Sequence, residues 1–77
     1  MKKLIKALRE VRDDVDYENC QTLIDDGLFD SFHIMQSIMQ IEDSFDIIIS
    51  PENITHENFN SAQNMMKMIK RLQQKNE

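Results

Sequence analysis

The chain has 77 residues, a net charge of −5 and 40% apolar residues, so a single domain spanning 1–77 is expected, near the size where one core is only marginally stable. That apolar content separates it from disordered chains, and its acidic balance argues against nucleic acid as a partner. No stretch approaches the roughly 18 apolar residues of a membrane span, and the single Cys20 offers no internal disulfide or metal cluster.

The opening Met1-Lys2-Lys3-Leu4-Ile5-Lys6-Ala7-Leu8-Arg9 imitates a signal peptide until Lys6 and Arg9 break the apolar run, so it is not read as one. A cytoplasmic protein is expected, which also voids the glycosylation match at Asn53-Ile54-Thr55. Leu4, Ile5, Leu8, Val11 and Val15 recur at helical spacing among basic residues. They predict a first helix over roughly 2–14. From Asp16 to Asp30 no single period holds, although Tyr17, Cys20, Leu23, Ile24, Leu28 and Phe29 are apolar enough to be pinned to a core. This stretch reads as a long, partly ordered loop with a helical turn near Gln21 to Ile24. Asp14, Asp16, Glu18 and Asp25 faintly echo a calcium loop, but Asn19 stands where its glycine belongs and Asp25 where its bidentate Glu belongs, so that reading is set aside.

Gly27, the only glycine, marks the place where the backbone most freely takes a positive φ or approaches something closely. Asp30 or Ser31 then suits the N-cap of the apolar pattern that follows. A serine there sits beside unpaired N–H groups and the positive end of a helix dipole, which favours a phosphate ester on its hydroxyl. A second Asp-Ser-Phe occurs at Asp43-Ser44-Phe45, without a preceding Gly-Leu and without a helix start after it, so Ser31 is the better candidate.

The second helix is expected over about Ser31 to Phe45. Within it Ile34, Ile38, Ile41 and Phe45 form one stripe at 4-3-4 spacing, the natural core face. Phe32, Met35 and Met39 form a second stripe beginning beside Ser31. That stripe is either further core or a docking surface, for which methionine is well suited. Asp46 to Pro51 is a β-like run too short to build a sheet, whose isoleucines are expected to plug the core from a loop. Pro51 to Asn60 is expected to hold one short helix with Ile54 and Phe59 turned inward. Ser61 should cap a last helix with Ala62, Met65, Met66, Ile69 and Leu72 as its apolar stripe and Lys67, Lys70, Arg71 and Lys75 at the dipole's negative end. The polar tail beyond it is expected to fray.

Taken together, Gly-Leu-Phe-Asp-Ser-Phe over residues 27–32, the Glu42-Asp43-Ser44-Phe45 helix end, Pro51, Phe59 and the Ser61 helix start resemble the acyl and peptidyl carrier proteins, whose Gly-x-Asp-Ser-Leu motif carries a phosphopantetheine arm on the serine. The resemblance covers nearly the whole chain. It implies an all-α, small four-helix bundle of three main helices and one short one, with Ser31 holding the arm. It further implies that Asp30 caps the helix and helps position a transferase's metal, with Gly27 in the same motif. Phe32, Met35, Met39, Glu42 and Asp43 would meet partner enzymes. Those partners would be a phosphopantetheinyl transferase and acyl- or aminoacyl-loading and processing enzymes with basic docking patches. Where carriers of bacterial fatty-acid synthesis read Asp-Ser-Leu-Asp followed shortly by Glu, this chain has Phe32, His33 and Gln36. That departure exchanges charge for apolar contact and points to a specialised carrier, such as one for aminoacyl groups.

Twelve of the fourteen acids lie between Asp13 and Glu57, while all nine Lys and Arg lie at Lys2–Arg12 or Lys67–Lys75. The middle of the chain is therefore purely anionic, suited to basic partners or simply a solvated face. His33 and His56 lack the partners of a zinc site and read as surface histidines, and Cys20 reads as a small core residue rather than a nucleophile. Gly-x-Ser-x-Gly and glycine-rich nucleotide loops are absent, so no enzyme and no resident metal are expected. The chain is read as a monomeric carrier, with an unmodified helical interaction domain bearing an acidic docking surface as the alternative.

Overall fold

The amphipathic opening folds as a helix, α1 (Lys2–Arg9), that buries Leu4, Ala7 and Leu8. The computed structural model describes the backbone of residues 1–75 and the side chains of residues 1–74. α1 stops at Arg9, short of the expected residue 14, where the chain tightens into a turn: the Glu10 N–H bonds the Ala7 carbonyl at 3.2 Å and the Val11 N–H the Leu8 carbonyl at 3.0 Å. The Tyr17 hydroxyl shares its proton between the Leu8 and Arg12 carbonyls. Arg12 turns back to Asp14 at 2.7 and 3.1 Å and to the Leu28 carbonyl at 2.7 Å. Burial pushes the Tyr17 phenol up to about 12, so it is a hydrogen-bond donor at any physiological pH.

The loop that follows is pinned by Val15, Tyr17, Leu23 and Phe29, all buried. Its expected helical turn forms slightly later than predicted, with the Asp26 N–H on the Thr22 carbonyl at 2.8 Å. Gly27 ends that turn with φ +74°. The Leu28 N–H reaches the Leu23 carbonyl at 2.9 Å and the Gly27 N–H reaches that of Ile24 at 3.0 Å, the paired bonds of a Schellman cap. The cap reverses the chain toward α2 (Ser31–Phe45), which spans the expected residues and closes on Asp46 in the left-handed region at φ 53°.

After α2 the chain runs extended, and alternation decides which isoleucines enter the core: Ile47 and Ile49 are buried while Ile48 is 79% exposed. The single short helix expected from Pro51 to Asn60 is two pieces, a 3₁₀ turn at Pro51–Asn53 and α3 (His56–Phe59) with Thr55 as its N-cap. Ile54 falls in the link between them and faces solvent, contrary to expectation, whereas Phe59 is fully buried. The Ser61 hydroxyl accepts the Asn64 N–H at 3.0 Å and so caps α4 (Ala62–Lys75). Met68 joins Ala62, Met65, Ile69 and Leu72 in the core, while Met66, expected there, is only half-buried. α4 carries the polar residues 73–75, and the expected fraying falls on residues 76 and 77, which lie outside the described residues.

Among the described residues all regular structure is helical. α1 packs on α2 and α4, α3 packs on α4, and one buried cluster draws on all four helices and the loops between them. The Cα radius of gyration is 11.3 Å, against about 11.5 Å for a close-packed chain of this length. No described helix is long and apolar enough to cross a membrane.

The start of α2 as candidate functional site

Two residues build the start of α2. Asp30, in extended backbone, accepts the His33 N–H at 3.1 Å through Oδ1 and donates its own N–H to His33 Nδ1 at 3.3 Å. This reciprocal capping box satisfies two of the four orphan N–H groups at the helix end. The Asp30 carboxyl is held below the usual carboxylate range, chiefly by the backbone N–H of His33. His33 Nδ1 also lies 2.9 Å from Asp30 Oδ1, so a proton on Nδ1 would exchange the backbone contact for a carboxylate contact. The His33 ring is stacked on buried Phe29, centroids 5.6 Å apart. His33 is thus a structural part of the helix start, not the free surface histidine expected. A histidine in the place usually taken by Glu or Gln gave no sequence signal for this role.

Ser31 is the first residue of α2 and exposed, and neither its hydroxyl nor its N–H makes a hydrogen bond among the described residues. The first turn of α2 holds no acid, but Asp30 precedes it directly, and its charge offsets the attraction of the helix dipole for an anion. A phosphate here would be held by its ester bond rather than by charge. The Ser31 hydroxyl is thus exposed and unbonded at a capped helix start. Ser44, in the competing Asp-Ser-Phe copy, lies in the last turn of α2 and is half-buried.

The second stripe is surface: Phe32 and Met35 are 63% exposed and Met39 67%. The core face of α2 is centred on Ile41 and, unexpectedly, on Ser37, both fully buried, with Ile34, Ile38 and Phe45 packed at its edge. Ser37 returns its hydroxyl to the His33 carbonyl at 2.8 Å, which removes the cost of burying it. Of the two acids in the expected docking set, Asp43 is exposed, but Glu42 is half-buried and Oε2 accepts the Ile49 N–H at 2.9 Å. Glu42 therefore has a structural task in holding the extended segment.

Gly27, four residues before Ser31, owes its conformation to the Schellman turn, and a Cβ built on it would meet nothing within 4 Å. The loop leading to Ser31 is clamped from α3's end by Asn60, which sequence reasoning missed because no local pattern connects residues 35 apart. Its backbone carbonyl accepts the Leu23 N–H at 2.7 Å. Its side chain accepts from the Ile24 N–H at 2.9 Å and donates to Asp25 at 3.0 Å. Asp25 also faces His56 Nε2 at 2.7 Å, and the His56 contact holds its carboxyl below the usual range. With those oxygens engaged and no metal-holding group of His, Cys, Asp and Glu among the described residues, the calcium-loop echo has no counterpart in space. Cys20 is a free, half-buried thiol against the core.

Between the end of α1 and the exposed stripe of α2 runs a groove of about 260 Å³, lined by Glu10, Val11, Phe32, Met35, Gln36, Met39 and Gln40. No family model, no curated protein and no solved structure matches the chain.

Proposed function

We propose that the chain is a carrier module of the acyl-carrier type that takes a phosphopantetheine arm on Ser31. The observation that supports this best is an exposed, unbonded serine hydroxyl at the first position of a capped 15-residue helix, bordered by an exposed Phe32–Met35–Met39 stripe. In the modification, Ser31 Oγ forms a phosphodiester at the pantetheine-bearing phosphorus of coenzyme A. The pyrophosphate bond breaks, adenosine bisphosphate leaves with the electron pair, and the hydroxyl proton passes to a base of the transferase. The bound arm supplies a thiol on which an acyl or aminoacyl cargo rides as a thioester.

The chain's own residues present rather than catalyse. Asp30 and His33 hold the helix start, Gly27 and Asn60 aim the loop into it, and the Phe32–Met35–Met39 stripe with Asp43 meets partner enzymes. Phe32, His33 and Gln36 in place of acids favour apolar docking and a specialised pathway over housekeeping fatty-acid synthesis.

Intact mass measured after incubation with coenzyme A, Mg²⁺ and a promiscuous pantetheinyl transferase tests the proposal. One adduct is expected on the native chain and on Ser44→Ala, and none on Ser31→Ala. Absence of an adduct with several transferases would leave the interaction-domain reading, which rests on the same exposed stripe.

A further inference from the structure

The groove between α1 and α2 has walls of opposite character. On the α2 side Phe32, Met35 and Met39 make it apolar, and all three are exposed. On the α1 side the exposed Lys2, Lys3, Lys6 and Arg9 stand along one helix. Lys3 and Lys6 border a second cleft that shares Glu10 and Gln40 with the groove, and Lys2, Lys6 and Arg9 border a third that shares Glu10 with both. The three form one continuous surface, on which these four cations meet only the carboxylates of Glu10 and Glu18. None of the four makes an ion pair among the described residues. In a chain of net charge −5, this surface runs against the trend.

Resting on the reading of the exposed stripe as a docking face, we infer that this surface seats an acidic amphipathic helix of a partner protein, whose apolar residues enter the groove while its carboxylates meet Lys3 and Lys6. That polarity is the reverse of the basic docking patches that the carrier resemblance implies. Length, chemistry and charge each select this occupant. From Phe32 to Met39 α2 rises about 10 Å, two turns, which is the span of the i, i+4 and i+7 anchors with which a helix fills a groove. Exposed Met and Phe adapt to such anchors, and an apolar centre with a charged rim is the anatomy of a protein–protein patch.

Charge sets the sign and the direction of the partner. α2 contains no Lys or Arg, so the partner's carboxylates belong on the α1 side. Glu10 at the junction of the clefts and exposed Asp43, one turn beyond Met39, repel carboxylates and confine them to the stretch at Lys3 and Lys6. Exposed ion pairs contribute little each, so apolar contact supplies the affinity and charge supplies the choice of partner. A flat anionic lipid surface fits less well, since it reaches the α1 cations but not the inside of a groove, and the net charge of the chain opposes it.

The test titrates a synthetic amphipathic helix of about four turns, with Leu at i, i+4 and i+7 and Glu on its flanks, into the full unmodified chain labelled with ¹⁵N and ¹³C-methyl methionine. The same helix with Lys for every Glu is the control. The Glu helix should shift the Met35 and Met39 methyl signals and the Lys3 and Lys6 amides, and bind about tenfold tighter than the Lys helix, while buried Met65 and Met68 stay in place. Added salt should shrink that difference. The double variant Lys3→Glu, Lys6→Glu should bind the Lys helix more tightly than the native chain does, a gain that loss of folding cannot produce. Equal affinity for the two helices, preference of the native chain for the Lys helix, or shifts that spare Met35 and Met39 would each overturn the inference. So would phosphatidylglycerol vesicles that shift the α1 amides while neither helix binds. Because the chain is unmodified throughout, these outcomes are read separately from whether Ser31 takes the arm, which the mass measurement decides.

Discussion

At the scale of single residues, Gly27 and the capped acids carry the clearest consequences. An added Cβ at Gly27 meets no neighbour, so Gly27→Ala is penalised only by the left-handed backbone, by about 1–2 kcal/mol. For a domain of this size that lowers Tm by about 4–8 °C per kcal/mol, and Gly27→Asn should recover part of the loss, since Asn tolerates that region. Asp14, Asp25 and Asp30 titrate below their ordinary range. The largest causes are, in turn, the hydrogen bonds from Arg12, from His56 and from the His33 backbone. A carboxyl whose folded pKa is depressed adds stability above its unfolded value, and that stability is lost as pH falls through the folded value. Urea midpoints from pH 5 to pH 3 should therefore drop, and drop less in Asp14→Asn, Asp25→Asn and Asp30→Asn than in the native chain. Asp30 was readable from sequence because N-cap chemistry is local. His33 was not, since an imidazole in the capping box has no general pattern, and Ser37 was not, since a polar residue is read as exposed unless its bond to the previous turn is seen.

At the scale of elements, neighbouring isoleucines give opposite expectations. Ile49→Ala removes a buried side chain and should cost about 2–4 kcal/mol. Ile48→Ser alters an exposed one and should stay within about 0.5 kcal/mol. Urea melts of the two variants check both, and equal losses would mean the alternation is wrong. Helix α2 was legible to its last residue because cap, periodicity and length agree. α1 was over-extended, since its apolar pattern continues through Val11 and Val15 while the backbone tightens into a turn after Arg9. On α4 Met66 and Met68 lie about 160° apart, on opposite flanks of the stripe, and the sequence pattern does not say which flank turns to the core. The link at Ile54 escaped because the 3₁₀ turn and α3 are each only a few residues long.

At the scale of the whole molecule, charge is segregated in sequence and only lightly matched in space. Among the described residues Arg12 with Asp14 is the one ion pair made by a Lys or Arg. Two other cations reach the acidic middle of the chain at uncharged groups, Lys3 over the Phe45 ring at 4.9 Å and Arg71 on Asn53 at 3.3 Å. The acidic middle is therefore left to repel itself, a cost that screening reduces. Moderate salt should raise Tm, and a Tm indifferent to ionic strength would show that the mutual repulsion is already neutralised. The class of fold was visible in the pattern of apolar residues, but this charge arrangement was visible only as an order along the chain.

The Asn60 clamp also has a kinetic meaning. It joins residues 35 and 36 positions apart, so the closure entropy of that long segment must be met before its bonds form. The segment that aims Ser31 is then among the last to settle, after α1 has packed on α2 and α4. Asn60→Ala should accordingly speed unfolding severalfold and leave the refolding rate nearly unchanged, as stopped-flow chevrons would read. The loop would open and close many times for each global unfolding.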